Sequence, residues 1–337
     1  MEWKTRVTEM LGIKYPIIQG SYGGFGTSEI AAPVSEAGGL GIITAGALKT
    51  PEGLRKDIQK ARSMTDKPIG VNLSIGMCPH VDEMREVAIE EGITVVETSV
   101  FKAVEHGKRL KEAGVKWIHK VATVRHALIA EQQGVDAVVI VGMEGTGFKS
   151  VEQLPTLIGI SWAAKQIKIP IIAAGGISDA RTFLASLAMG AEAAYMGTAF
   201  MATRECPIPD KHKEYLLRTR PDDPALMKKV LAPPEQKEME KVMREKGRIP
   251  HAEWLSKLER VLLKEDPDKK QSYDTGDVIK LVPGSLAVSG IDSILTVAEF
   301  INGVIHGAED ILARGVFAGM WAAEKAAYAK PDGKNNV

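Results

Sequence analysis

Short apolar runs alternate with polar-faced stretches over the first two hundred residues of the chain. Eight runs are nearly continuous in apolar side chains, and they cover residues 16–19, 40–44, 68–73, 94–98, 115–119, 135–141, 170–174 and 193–196. Uninterrupted apolar strands are typical of parallel sheets that are covered on both faces. The pattern therefore predicts eight parallel β-strands.

The stretches between these runs have the pattern of amphipathic helices. Residues 51–61 and 124–133 are two examples, and the second is followed by Gly134, a residue type that favours the end of a helix. Eight strand–helix units in succession favour an α/β fold closed into a (β/α)8 TIM barrel over an open doubly wound sheet.

The composition changes after the eighth unit. We expect residues 1–203 to form this barrel as one domain, because the strand pattern ends there. Residues 204–283 are rich in Lys and Glu and interrupted by prolines, which predicts a charged helical insertion or lid. Residues 284–329 predict C-terminal helices that pack back on the barrel, and residues 330–337 predict a flexible tail.

Composition and charge exclude some classes of function. The chain has 337 residues, 45% of them hydrophobic, and Lys+Arg and Asp+Glu both number 43. A balanced charge argues against a nucleic-acid binder that works through a broad basic field. No run is long enough to cross a bilayer, and the start lacks the apolar segment of a signal peptide. We therefore expect a cytoplasmic protein that acts on a small molecule, without a nucleic-acid or membrane partner.

Cysteine and histidine positions give no sign of a metal site. Cys78 and Cys206 are the two cysteines, and neither they nor the seven histidines have metal-ligand spacing. We expect no bound metal and no disulfide framework.

Glycines follow the last three predicted strands. They are Gly142, Gly145, Gly147, Gly175, Gly176 and Gly197. In a TIM barrel the active site lies at the carboxyl ends of the strands, and phosphate is commonly bound by the loops after strands 7 and 8. Glycines there expose backbone N–H groups, and a cap from Ser178 or Asp179 would add a helix N-terminus. These loops predict a phosphate site, with simple tight turns as the alternative.

The loop of residues 142–150 also approaches the P-loop pattern of nucleotide triphosphatases. Phe148 separates Gly147 from Lys149, although the pattern requires the glycine and the lysine to be adjacent. The P-loop interpretation, which predicts ATP hydrolysis, is therefore a minor alternative.

Polar residues at other strand ends are candidates for binding a ligand. Lys120 lies at the end of the fifth strand, directly after the run 115–119, where it either stabilises negative charge on an electron-rich ring or is simply solvated. Asn72 and Ser74 share one face of the third strand and could hydrogen-bond a cofactor. His119 points to the opposite face from Lys120, which favours a packing role over a catalytic base.

Several of these segments together resemble the nitronate monooxygenase (2-nitropropane dioxygenase-like) family of FMN barrels. The segments are residues 19–23, 71–74, 118–120, 142–147, 174–177, 196–198 and 202–207. The similarity spans most of residues 10–210 and is greatest to the bacterial NADH:quinone reductase branch of the family. Each segment is weakly diagnostic alone, and the combination is specific.

The resemblance implies FMN at the barrel mouth. Its ring would contact backbone of residues 21–23 together with Asn72 or Ser74, and Lys120 would face the N1/O2 side or the ribityl chain. Thr146 falls where the family's loop touches the flavin. The phosphate would be held by Ala174, Gly175, Gly176, Gly197 and Thr198. By the same resemblance, the cofactor residues after the first strand would be Ser21, Tyr22 and Gly23.

One departure from the family pattern affects the predicted activity. Phe148 stands where family members have a histidine, the presumed base of nitronate oxidation, so nitronate oxidation by that route is doubtful. Hydride transfer from NAD(P)H to a flavin requires no protein base. Phe148, Tyr22 and Phe25 are instead expected to line an apolar substrate pocket beside the ring.

The resulting hypothesis is an FMN-dependent oxidoreductase that uses NAD(P)H to reduce a quinone-like or other electron-poor acceptor. The enzymatic alternatives are a nitronate monooxygenase with another base and an enoyl-thioester reductase of the same flavin type. A non-enzymatic alternative is a flavin-binding protein without turnover. The sequence does not decide the oligomeric state, and a homodimer is one option.

Overall fold

Eight parallel strands form a closed barrel in the computed structural model, which describes residues 1–22, 24–76, 78–99, 103–146, 150, 152–232, 235–262, 268 and 284–314. The strands are β1 (Ile17–Gln19), β2 (Gly41–Thr44), β3 (Ile69–Ser74), β4 (Val95–Ser99), β5 (Lys116–Val121), β6 (Ala137–Val141), β7 (Ile171–Ala174) and β8 (Ala193–Met196). Every strand pairs with the next in sequence from β2 to β8, and β8 pairs with β1.

Leu40 closes the barrel between β1 and β2. The Gln19 amide donates to the Leu40 carbonyl at 2.9 Å, and the Leu40 amide donates to the Ile17 carbonyl at 2.9 Å. All eight predicted strands are therefore confirmed, and the open doubly wound alternative is wrong.

Helices surround the sheet. In chain order they are α1 (Arg6–Leu11), α2 (Ser28–Glu36), α3 (Ala45–Leu48), α4 (Pro51–Met64), α5 (Val81–Glu90), α6 (Val104–Glu112), α7 (Val124–Gln132), α8 (Thr156–Ala163), α9 (Ala180–Ala188), α10 (Thr198–Met201), α11 (Asp210–Arg218), α12 (Pro224–Leu231), α13 (Gln236–Glu245), α14 (His251–Leu262) and α15 (Val297–Arg314). A 3-10 helix, Leu286–Gly290, precedes α15.

The amino-terminal end of the barrel is filled by apolar side chains. α1 lies below the strands, where Val7 and Leu11 pack against inward-facing residues such as Ile18 and Ile118. A second core lies between the sheet and the helices and contains Trp117 among its fully buried side chains. Because side chains alternate along a strand, each strand contributes to both cores.

The segment after β8 is helical before the chain returns to the barrel. α11 to α14 occupy residues 210–262, and α13 and α14 share a small apolar core around Trp254. α15 packs against α9 and α2, and so completes the ring of helices around the barrel. Residues 233–234, 263–267 and 269–283 of the predicted insertion, and residues 315–337 with the predicted tail, lie outside the described residues.

No helix in the described part of the chain is long and apolar enough to cross a membrane.

Candidate active site

A partly buried ammonium group lies at the carboxyl end of the barrel. Lys120 projects inward from β5, and its Nζ lies 2.7 Å from Ser21 Oγ, 3.1 Å from Tyr195 Oη and 3.1 Å from Glu97 Oε1. These partners come from the β1 loop, from β8 and from β4. The amide of Ser21 also donates to Tyr195 Oη at 2.7 Å. The structure thus brings Lys120 and Ser21 together, as the predicted cofactor site requires.

Asn72 and Ser74 extend this polar cluster across β3. The Asn72 amide donates to Glu97 Oε1 at 2.6 Å, and Ser74 Oγ donates to Asn72 Oδ1 at 3.0 Å. Ser74 Oγ also lies 3.1 Å from Ser99 Oγ. Asn72 is fully buried, so its amide is committed to Glu97, whereas Ser74 is partly exposed at the mouth.

The charge states of the two central groups follow from their surroundings. Burial disfavours the Lys120 ammonium, but the attraction of the Glu97 carboxylate and the Tyr195 hydroxyl outweighs it, so the pKa of Lys120 is raised. Burial, and then the Glu97 carboxylate, raise the pKa of Tyr195. At neutral pH the site therefore holds an ammonium beside a neutral phenol.

The loop after β7 depends on two glycines with left-handed backbone. Gly175 has φ 104° and Gly176 has φ 74°. A Cβ on Gly175 would lie 2.9 Å from Thr156 Oγ1 and 3.0 Å from the backbone of Gly142. The amide of Gly176 donates to no other described residue. This turn therefore presents a backbone donor where a larger residue would not fit.

The loop after β8 lies close to the β1 loop. A Cβ on Gly20 would lie 3.0 Å from Gly197 Cα. The Gly197 amide, like that of Gly176, donates to no residue in the described ranges. The hydroxyl of Thr198 is hydrogen-bonded to Ser285 Oγ at 2.8 Å and accepts from the Ser285 amide at 3.1 Å. Thr198 can therefore offer its backbone, and not its hydroxyl, to a phosphate.

Helix α9 is capped by its own residues. The Thr182 amide donates to Asp179 Oδ1 at 2.7 Å, and the amides of Ser178 and Asp179 both donate to Thr182 Oγ1 at 3.0 Å. The predicted cap at Asp179 is confirmed. Because these donors are satisfied, an anion would be held by the glycine turn that precedes the helix.

The loop after β6 is fixed by Glu144. Its carboxylate accepts from the Thr156 amide at 2.8 Å and from Thr156 Oγ1 at 2.7 Å, and so caps α8. Thr146 is partly exposed near the mouth, whereas Gly147, Phe148 and Lys149 lie outside the described residues. α8 begins at Thr156 and not directly after Lys149, which removes the support for the P-loop interpretation.

Tyr22 and Phe25 form a stacked pair at the edge of the mouth. Their rings lie 4.7 Å apart with an interplanar angle of 21°. Tyr22 Oη donates to the Gly197 carbonyl at 2.9 Å, and its amide donates to Thr44 Oγ1 at 3.0 Å. Both rings are buried, so they fix the β1 loop against β8. Gly23, between them, lies outside the described residues.

Three other candidates lie away from the polar cluster. His119 faces the outer core, where its Nδ1 lies 2.8 Å from Thr98 Oγ1, and burial lowers its pKa to about 4. Cys78 and Cys206 are free and buried, and burial raises the pKa of each to about 12. Within the described ranges, no group of His, Cys, Asp and Glu residues could hold a metal ion.

Two central residues were absent from the sequence-based prediction. Glu97 lies in an otherwise apolar run, and the alternation from Val95 places it on the inner face of β4. Tyr195 follows from the same alternation in β8. A polar side chain on the inward phase of a buried strand was the available signal.

Comparison with known proteins gives a consistent family. The model of nitronate monooxygenases matches residues 4–306. A probable nitronate monooxygenase of Staphylococcus saprophyticus is 31% identical in an alignment that covers 89% of this chain and 99% of the relative.

A second relative is more similar over a shorter range. It is the (3aS,4S,5R,7aS)-5-hydroxy-7a-methyl-1-oxo-octahydro-1H-indene-4-carboxyl-CoA dehydrogenase of Rhodococcus jostii, 35% identical over 218 residues. The match covers 64% of this chain and 60% of the relative's own length. The similarity to this enzyme is therefore confined to part of each protein.

Solved structures share the whole architecture. FabK from Thermotoga maritima superposes with a TM-score of 0.71 at 32% identity, over 96% of this chain and 99% of that one. Nitroalkane oxidase from Streptomyces ansochromogenes has a TM-score of 0.69 at 23% identity, over 91% of this chain and 99% of that one, which shows a common fold.

Proposed function

The chain belongs to the nitronate monooxygenase family, and we propose that it is an FMN-dependent oxidoreductase that transfers a hydride from NAD(P)H to a quinone-like or other electron-poor acceptor. The observation that carries the proposal is the Lys120 ammonium at the barrel mouth, on the same end as the two glycine turns. FMN combines a phosphate with a ring that becomes negatively charged on reduction. The phosphate requires backbone N–H donors, such as those of the glycine turns, and the reduced ring requires a positive charge, such as the Lys120 ammonium.

The glycine turns fit the phosphate. Gly176 and Gly197 supply backbone N–H groups that no described residue uses, and Gly175 permits the close approach of the neighbouring loop. The Thr198 backbone, at the start of α10, extends the same surface, whereas the Ala174 carbonyl already accepts from the Gly142 amide at 2.8 Å. Uncommitted amides at the ends of β7 and β8 are a favourable environment for a phosphate dianion.

The polar cluster fits the ring. Lys120 would lie at the pyrimidine side, with the Ser21 and Ser74 hydroxyls as further polar partners. FMN supplies the redox chemistry when it is bound, since it accepts a hydride from the nucleotide and delivers it to the acceptor. The protein's part is to hold a positive charge where negative charge develops and to exclude water from that region.

Neither His119 nor Tyr195 is suited to take a proton from a substrate at the mouth. His119 lies on the outer face of β5, and Tyr195 is a neutral phenol with a raised pKa. Together with Phe148 at the position of the family histidine, this favours acceptors that need no deprotonation over nitronates.

A second candidate function has support from the relatives. The Rhodococcus enzyme is a dehydrogenase of a carboxyl-CoA compound. Its Mycobacterium tuberculosis counterpart has the same activity in its name and is 34% identical to this chain over 219 residues. A CoA-linked α,β-unsaturated thioester is also electron-poor and accepts a hydride without a protein base. An enoyl-thioester reductase is therefore the alternative acceptor specificity for the same site.

Anaerobic assays separate these functions. The purified protein is reconstituted with FMN, reduced with NADH or NADPH, and then mixed with a quinone, an enoyl-CoA or a nitronate. The proposal expects bleaching at 450 nm and rapid reoxidation by the quinone. Reoxidation by the enoyl-CoA alone would establish the alternative. Bound flavin that neither nucleotide bleaches would contradict both and indicate a flavin-binding protein without turnover.

A further inference from the structure

A buried carboxylate lies under the ammonium group of the proposed site. Glu97 is 1% exposed, and its Oε1 is shared by Asn72 at 2.6 Å, Lys120 at 3.1 Å and Ser21 at 3.2 Å. Its second oxygen, Oε2, is buried and has no hydrogen-bond partner among the described residues. Burying a carboxylate with one unsatisfied oxygen costs stability. A residue that lowers stability in this way is expected to serve the site.

The register of the barrel places Glu97 below Lys120. Glu97 is paired with Ile118, whereas Lys120 is paired with Ser99, one inward-facing layer nearer the mouth. Lys120 has a side chain that is 17% exposed, compared with 1% for Glu97. A ligand at the mouth would therefore contact Lys120, and Glu97 would act on that ligand only through Lys120.

We propose that Glu97 is a positioning residue that holds the Lys120 ammonium at the barrel mouth and offsets its charge, and thereby sets how strongly the site favours reduced over oxidised FMN. The proposal rests on the proposed function, because it requires a flavin beside Lys120. With the carboxylate present, the reduced flavin, which is negative on its N1/O2 side, meets a nearly neutral ion pair. Without it, the same flavin meets an uncompensated ammonium.

The test compares the midpoint potential of bound FMN in the wild type and in Glu97→Gln. The amide keeps the size of the side chain and an oxygen for Asn72 and Lys120, and removes only the charge. Removing a negative charge should strengthen the binding of reduced FMN relative to oxidised FMN by roughly tenfold or more. A tenfold change in this ratio is a rise of about 30 mV for a two-electron couple.

Two further variants test whether the lost charge next to Lys120 causes the change in midpoint potential. Lys120→Met should shift the ratio in the opposite direction, because it leaves the carboxylate without its cation. Glu192→Gln is the matched control, since it removes the same charge at the other end of β8, where Glu192 pairs with Arg6. That variant should leave the potential at the wild-type value.

The outcomes are distinct. An unchanged or lower potential in Glu97→Gln overturns the positioning role, as does an equal shift in Glu192→Gln. A role in folding alone would lower stability and flavin occupancy without changing the potential. If Glu97→Gln does not fold, Glu97→Asp retracts the carboxylate and should give a smaller rise; no rise, or a fall, overturns the proposal. Wild-type protein that binds no FMN would refute the proposed function itself.

Discussion

The Lys120–Glu97 pair should behave as a unit in the stability of the apoprotein. Lys120→Met leaves a carboxylate that is 1% exposed without its only cation among the described residues. Breaking a buried ion pair by removing one partner typically costs about 3–5 kcal/mol. We expect a loss of this size in the free energy of unfolding of the single variant, because Asn72 and Ser21 cannot replace the charge.

The double variant Lys120→Met/Glu97→Gln should recover most of this loss. Replacing both members of a buried ion pair by neutral groups of similar size is often close to neutral, since the desolvation cost of both charges disappears. The coupling energy in the double-mutant cycle should therefore be at least about 2 kcal/mol, whereas residues that do not interact add to within about 0.5 kcal/mol.

Urea unfolding of the four apoproteins, followed by far-UV circular dichroism at pH 7, measures this cycle. Glu192→Gln serves as a control, because Glu192 pairs with a half-exposed Arg6 at the opposite end of the barrel. Losses that simply add in the double variant would refute the argument, since they would mean that the two charges do not stabilise each other.

Further predictions concern other parts of the molecule. Burial lowers the pKa of His119 to about 4. The neutral imidazole therefore makes its full contribution to the free energy of unfolding above about pH 6.5, and up to about 3 kcal/mol of that free energy is lost as the pH falls towards 4. His119→Gln should flatten this pH dependence in thermal unfolding. Gly175→Ala, with φ 104° and a Cβ 2.9 Å from Thr156 Oγ1, should lose at least about 1–2 kcal/mol and weaken FMN binding. The control Gly303→Ala, in a helix where the new Cβ meets no atom within 4 Å apart from the neighbouring backbone of its own helix, should instead gain about 0.5–1 kcal/mol. Phe148→His should gain oxygen consumption with a nitronate, because it restores the family histidine; an unchanged rate would contradict the role given to that position.

The barrel was predictable because its strands are buried on both faces. Such strands are continuous apolar runs, and five of the helices between them are followed by a glycine, at residues 38, 92, 114, 134 and 190, so eight strands could be counted from the sequence. The eighth surrounding helix was harder to identify. α15 lies about a hundred residues after β8, and the charged helices α11 to α14 intervene.

The part of the candidate site that was predictable is the part that would bind its ligand through backbone N–H groups alone. Gly175, Gly176 and Gly197 follow strands 7 and 8, and glycine at these points has few explanations besides a tight turn or a close approach. The three remain predicted phosphate ligands. Thr198 shows the limit, because Ser285, 87 residues later in the chain, takes up its hydroxyl.

The polar cluster could be predicted only in part, since its members meet through tertiary structure. Ser21 and Tyr195 are 99 and 75 residues from Lys120 in sequence. Glu97 was overlooked because a single charged residue in an apolar strand has no assigned neighbours until the register of β3, β4 and β5 is known. Sequence periodicity gives the face of a strand, and only the barrel shows what that face contacts.

The most direct test of the account is the affinity of the apoprotein for FMN compared with riboflavin, measured by quenching of flavin fluorescence. The two ligands share the ring and differ in the phosphate that the glycine turns after β7 and β8 are proposed to bind. We predict that FMN binds at least about a hundredfold more tightly, which corresponds to about 2.7 kcal/mol. Equal affinities, or no binding of either flavin, would contradict the account.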